Sequence, residues 1–291
     1  MNKYFFFLLA VIIVGCKDPY GPPTRSAKDS YLFVEGYLNG AGLTTIRLSK
    51  TFKLDDTARV RAETGALLSV QSKGGQMFPL AHAGGGIYRA ASLPMNTGSE
   101  YRLYIKTANG REYYSDYVPY KPTPEIDSVS WQRKEQGVQI YANTHDPANK
   151  TIYYRWDYDE TWEFHSSYQS FYEYKNGNVV PRDLSVNIFR CWLSNTSSNI
   201  MVGSSAKLQK DVISLSPIRL IPNSSWLLSV KYSINLRQYA LTEEAYQYWQ
   251  NLMKISEQLG SIFDPQPSEI RGNIHSANNA DELVIGFISA G

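Results

Sequence analysis

Apolar and polar residues alternate with a period of two through most of this chain, and one stretch breaks the rule. The segments YLFVEGYL, TTIRLSKT, ALLSVQS, GIYRAA, EYRLYIKT and REYYSDYV follow one another between Ser30 and Tyr120. Asn39-Gly40, Gly74-Gly75, Gly84-Gly85-Gly86 and Asn109-Gly110 punctuate them. Successive side chains of a strand point to opposite faces, so this alternation predicts half-buried strands. Asn-Gly inside the stretch from Ile105 to Tyr114 predicts a hairpin. Six or seven such strands in about 90 residues predict an immunoglobulin-like or prealbumin-like sandwich over residues 30–120.

Tyr120-Lys121-Pro122-Thr123-Pro124 ends that run, because each proline removes a ladder donor and favours extended chain. IDSVSWQR, GVQIYANT and TIYYRWDY then open a second β domain, expected over residues 125–291 and reminiscent of fibronectin type III. Residues from about Glu160 to Ser205 read as a long excursion with strands near Phe171–Tyr174 and Leu184–Trp192. LLSVKYSINLRQY, EIRGNIH and ELVIGFIS predict the closing strands of this second domain. The expected fold is mainly β: tandem immunoglobulin-like and fibronectin-type-III-like sandwiches. No repeat of short fixed period points to a solenoid or propeller.

The exception to the alternation is LTEEAYQYWQNLMKISEQLG. Ala245, Trp249, Leu252 and Leu259 recur at helical spacing and Tyr248 and Ile255 widen the stripe, which predicts an amphipathic helix over residues 243–259 in the second domain. Thr242 is the expected N-cap, and Glu243 and Glu244 put negative charge where the helix dipole favours it. Gly260 stops the helix, and Pro265 and Pro267 keep it from resuming. A helix about 25 Å long needs a surface to lie on. Trp249, Leu252 and Leu259 are expected to face the second sheet, with Lys254 on the other side.

At the amino terminus, Lys3 precedes an apolar run from Tyr4 to Val14, too short to span a bilayer but suited to a signal peptide over residues 1–15. Ile13-Val14-Gly15-Cys16 fits a lipobox, so Cys16 is the expected lipidation site and the link to membrane lipid. Residues 16–29, with Pro19, Pro22 and Pro23, read as a semi-rigid tether. Lipid on Cys16 leaves Cys191 without an intramolecular partner. Because Cys191 sits in VNIFRCWLS, which reads as a buried strand, an inert thiol is expected there.

Composition narrows the partners. A net charge of +2 without a long basic run argues against nucleic acid. The 22 tyrosines and 6 tryptophans suit pleated faces and cross-strand packing, with a sugar or peptide site as the other use. For chemistry, the densest constellation is RWDYDETWEFH. In an extended segment Asp157, Asp159 and Glu163 share one face, a calcium candidate, while Glu160 lies opposite with Trp156, Tyr158, Trp162 and Phe164. An acid/base carboxylate pair for glycoside hydrolysis needs a cleft that spacing does not reveal. His82, His145, His165 and His275 are scattered without metal-ligand spacing, no G-x-S-x-G elbow occurs, and no helix follows Gly84-Gly85-Gly86 to build a phosphate cradle. No cofactor and no catalytic residue is expected.

Several segments carry a resemblance. QYALTEEAYQYWQNLMKISEQLGSIFDPQPSEIRGNIH, with GCKDPY, VEGYLNG, YRWDYDETWEF and SSAKLQKDVISLSPIRLIP, resembles a Bacteroidota outer-membrane lipoprotein family known as domain of unknown function 4249. The resemblance covers nearly the whole chain. Family members run on past this point into further β structure, often with cysteines, so the chain is expected to lack the usual carboxyl-terminal segment, in which a partner for Cys191 would lie. By analogy of setting, the resemblance implies a cell-envelope, surface-exposed lipoprotein of the outer membrane that accompanies a TonB-dependent transporter in nutrient capture. A glycan or peptide hydrolase and a structural envelope protein are the competing expectations. Neither the resemblance nor the residues identify a ligand.

Overall fold

The structure is a computed structural model that describes residues 30–51, 61–183, 185, 188–257 and 270–291. The expected signal peptide, the tether, Cys16, and the expected helix end at Leu259 and Gly260 with Pro265 and Pro267 lie outside the described residues.

Nine strands follow one another in the first part: β1 (Leu32–Tyr37), β2 (Thr44–Lys50), β3 (Arg61–Ala62), β4 (Leu67–Ser72), β5 (Met77–Gly84), β6 (Ile87–Ala90), β7 (Glu100–Lys106), β8 (Glu112–Ser115) and β9 (Val118–Pro119). They are joined in the order β8-β7-β4-β5-β6-β2-β1. The corner is β5, whose first half pairs with β4 and whose second half pairs with β6, across a register shift between His82 and Gly84. A bulge bends a strand, and this one lets a single path fold over and bury both inner faces. Val34, Ile46 and Leu48 from one side meet Val70, Leu103 and Ile105 from the other, all buried.

The second part holds β10 (Ile126–Lys134), β11 (Gly137–His145), β12 (Tyr153–His165), β13 (Tyr172–Lys175), β14 (Asn178–Pro181), β15 (Arg190–Thr196), β16 (Met201–Ser204), β17 (Val212–Pro222), β18 (Lys231–Leu241), the helix α1 (Glu243–Glu257), β19 (Ile274–Ser276) and β20 (Val284–Ile285). One sheet runs β10-β11-β17. In the other, β12 pairs along its length with β18 on one side, and with β16 and then β15 on the other. Ala142 and Ile218 of the first sheet pack on Tyr154, Trp156 and Tyr158 of the second, which makes a second core. The molecule is mainly β with a single helix among the described residues, as the alternation predicts.

The last strands do not close the second sheet, contrary to expectation. β19 pairs antiparallel with β8 and β20 pairs parallel with β1, so both extend the first sheet. Beyond β20, Gly291 N–H donates to Leu38 O at 3.0 Å and Lys121 N–H donates to Ala290 O at 3.0 Å. Asn273 fastens the two returning segments: its Nδ2 donates to Ile288 O at 2.9 Å, and its Oδ1 accepts from Ile288 N–H at 2.8 Å. The backbones meet so closely that a Cβ on Gly272 would fall 1.5 Å from Gly286 O. Gly286 itself has φ +140°, where side chains are disfavoured.

The helix docks differently from its predicted stripe. Thr242 Oγ1 accepts from Ala245 N–H at 3.2 Å, the expected N-cap. Ala245 and Tyr248 are the buried side chains, whereas Trp249 and Leu252 are half-buried. The reason is aromatic stacking at the seam. Tyr246 stacks on Tyr153 at 4.8 Å, Tyr248 packs on Phe287 of the returning segment at 5.1 Å, and Arg155 lies between the rings of Tyr239 and Trp249 at 4.5 and 4.6 Å.

Candidate functional site

The second sandwich is open along one flank. Its edge strands there are β10 and β18, and each pairs with only one neighbour. Between them runs an apolar groove of about 420 Å³ lined by Val129, Trp131, Val138, Ile140, Ile221, Leu228 and Ile234, with the hydroxyl-bearing Ser130 and Tyr232. That volume falls in the range of ligand-sized clefts. Strand register explains its walls. Val129 and Trp131 stand opposite Ala142 and Ile140 on the inward face of β10. Yet Val129 is 46% and Trp131 69% exposed, because no strand lies beyond them.

The two ends of the groove differ. At one, the crossing chain closes it: Gln238 Nε2 donates to Pro124 O at 2.9 Å and Ala240 N–H to Thr123 Oγ1 at 3.1 Å. At the other, the loop between β17 and β18 brings Leu228 to the mouth and sets Trp226 edge-on to Phe164 at 5.2 Å. This open end carries a cation on the groove face. Arg133, two residues past Trp131 on the same face, is exposed and makes no ion pair among the described residues, whereas Lys134 and Lys231, at the ends of the two edge strands, lie over the rings of Tyr141 and Trp192 on the outer faces.

Behind Tyr232 lies a buried carboxylate. Glu160 is 1% exposed and accepts from Tyr232 Oη at 2.8 Å, from Asn195 Nδ2 at 3.2 Å and from Arg219 at 3.3 Å. A buried charge is tolerable only when paired and hydrogen-bonded, and here it is. Burial first, and then the bond to Glu160, pushes the Tyr232 hydroxyl well above its ordinary value. The groove thus has an apolar floor backed by a fixed polar network.

The three carboxylates considered for calcium lie along one face of the continuous β12 but are taken up by cations. Arg237, opposite Asp157 in the ladder, bonds both Asp157 and Asp159. Its guanidinium is the first cause holding the Asp159 carboxyl below its usual range. Glu163 instead meets His165 Nε2 at 2.9 Å and Arg190 Nε at 3.2 Å. Among the described residues no three carboxylates, imidazoles or thiols come together in a way that would hold a metal ion. Three imidazoles bond to carboxylates, His145 to Asp127, His165 to Glu163 and His275 to Asp116, while His82 stacks on Tyr88.

Cys191 corrects its expected burial. It is half-buried, on a strand that has β12 alone as neighbour and whose Trp192 and Leu193 are about half exposed. The apolar run suggests a central strand, but an edge position leaves it open. The hairpin β13–β14 is similarly exposed, with Tyr172 and Tyr174 largely in solvent. Sequence reasoning missed Val129, Trp131, Leu228 and Tyr232 as a group. The alternation in IDSVSWQR puts Val129 and Trp131 on one face, which was the available signal. Nothing local says that the neighbouring strand is missing.

No helix among the described residues is long and apolar enough to cross a membrane. No curated protein matches the chain closely enough to serve as a named relative. The family model of the domain of unknown function DUF4249 matches residues 17–291, and the chain belongs to that family.

Proposed function

We propose that this chain is a lipid-anchored binding protein of the outer membrane that works beside a TonB-dependent transporter in nutrient capture. The observation that carries the reading is the open apolar flank of the second sandwich, whose exposed Trp131 and Val129 present a binding surface without a catalytic cluster beside it. Exposed apolar ground of this kind marks interaction sites on secreted proteins. The lipobox ending in Cys16 and the tether after it support an anchored position from which such a surface reaches a neighbour.

The test is a pull-down of tagged, lipidated chain from detergent-solubilised membranes. Co-purification of a large β-barrel supports the reading, and recovery of the chain alone counts against it. The anchor is read separately. Cys16→Ala should leave the protein uncleaved or soluble, and identical partition of mutant and wild type into detergent would show that Cys16 is not lipidated.

A further inference from the structure

We infer that the groove between β10 and β18 accepts an extended peptide strand, with apolar side chains at alternate positions and a carboxylate at the open end. The inference concerns the groove alone and stands whatever the outcome for anchoring or transport. Three features carry it. First, β10 pairs with β11 on one side only, so a row of backbone donors and acceptors faces outward over nine residues. An exposed edge is a template for strand addition, and proteins ordinarily blunt it unless it is used. Second, the inward-facing side chains of that edge are apolar and uncovered, and Tyr232 and Ile234 of β18 form the facing wall. A strand added beside β10 would project every second side chain into the groove, because side chains alternate along a strand.

Third, charge selects the partner. Arg133 follows Val129 and Trp131 on the groove face of β10, exposed and without an ion pair among the described residues. Lys134 and Lys231, at the same end, lie over the rings of Tyr141 and Trp192 on the outer faces, so Arg133 is the cation that the groove face presents. A peptide carrying Glu or Asp at the position reaching Arg133 meets a complementary charge, and a basic one is repelled. A second copy of β10 fits poorly. Antiparallel self-pairing about Ser130 would lay Val129 against Trp131, but would offer Arg133 only Asp127, a carboxylate already bonded to His145 Nδ1 at 2.8 Å.

The probe is a fluorescein-labelled nonapeptide alternating valine and threonine with one terminal glutamate, titrated into the full chain in detergent. Two control peptides share its composition in scrambled order or carry lysine in place of glutamate. The alternating glutamate peptide should bind saturably and protect the amides of β10 from hydrogen exchange. Trp131→Ala, at an exposed position that leaves the fold intact, should weaken binding at least about tenfold. Arg133→Glu should invert the preference between the glutamate and lysine peptides. Equal binding of the scrambled peptide, protection elsewhere than β10, an unchanged charge preference in Arg133→Glu, or no binding overturns the inference. So does concentration-dependent dimerisation that Trp131→Ala abolishes, which would make a second copy the occupant.

Discussion

Single side chains close gaps that the backbone leaves open, and Asn273 shows how much can hang on one. Its carboxamide satisfies both the N–H and the C=O of Ile288, and it is 6% exposed. Replacing it with alanine leaves two buried backbone groups without partners. At about 1–3 kcal/mol for each unsatisfied group, Asn273→Ala should cost about 2–6 kcal/mol in urea unfolding. Asn278→Ala, at an exposed position, should cost within about 0.5 kcal/mol. A smaller loss at Asn273 would mean that water enters and replaces the amide. Nothing in the local sequence marks this asparagine. Its partner is 15 positions away, beyond β19, a turn and β20, so the pairing follows from tertiary placement alone. The facing of Asp157 and Asp159 was legible, since period two fixes it. Their neutralisation was not, because Arg237 arrives from a strand about 80 positions on.

At the scale of elements, the helix tests how far periodicity reaches. Spacing locates its start and its apolar stripe, but places the weight on Trp249 and Leu252, where the structure buries Ala245 and Tyr248. A stripe defines a sector of a cylinder, and the contacts made by Phe287 and Tyr153 decide which part of it is deepest. Leu252→Ala should therefore cost about 1–2 kcal/mol, less than a full core truncation, while Tyr248→Ala should cost about 3–5 kcal/mol. Burial also pushes the Tyr248 hydroxyl up from 10.0 to about 12. Because the folded value is the higher, this group's contribution is fully present below pH 10 and is lost as pH rises towards 12. Fluorescence of neighbouring Trp249 should report alkaline loosening of α1 in that window, and Tyr248→Phe should flatten it. An unchanged profile in Tyr248→Phe would assign the transition to another tyrosine.

Across the whole molecule, the return of the chain's last segment decides how the parts depend on one another. The prolines at Pro122 and Pro124 were legible as a break in the strand pattern. The destination of ELVIGFIS was not, because a short apolar strand fits either sheet and only long-range pairing chooses between them. The choice has a mechanical consequence. Residues 284–291 leave the second sandwich behind α1 and pair with Leu32, Leu38, Gly40 and Lys121, so each part of the chain is held from both sides of the Tyr120–Pro124 crossing. Simple tandem domains would release a folded fragment of about 90 residues when cut there. With the returning segment in place, a single cut between Lys121 and Thr123 should instead leave two pieces that co-elute in gel filtration and separate only in denaturant. Removing Gly272–Gly291 as well should free the amino-terminal piece and lower its melting temperature, since β8 and β1 then lose β19 and β20 while the second core keeps Trp156 and Tyr154 covered. Elution of a free, folded amino-terminal fragment after the first cut alone would show that the returning strand contributes little, and that the two sandwiches stand independently.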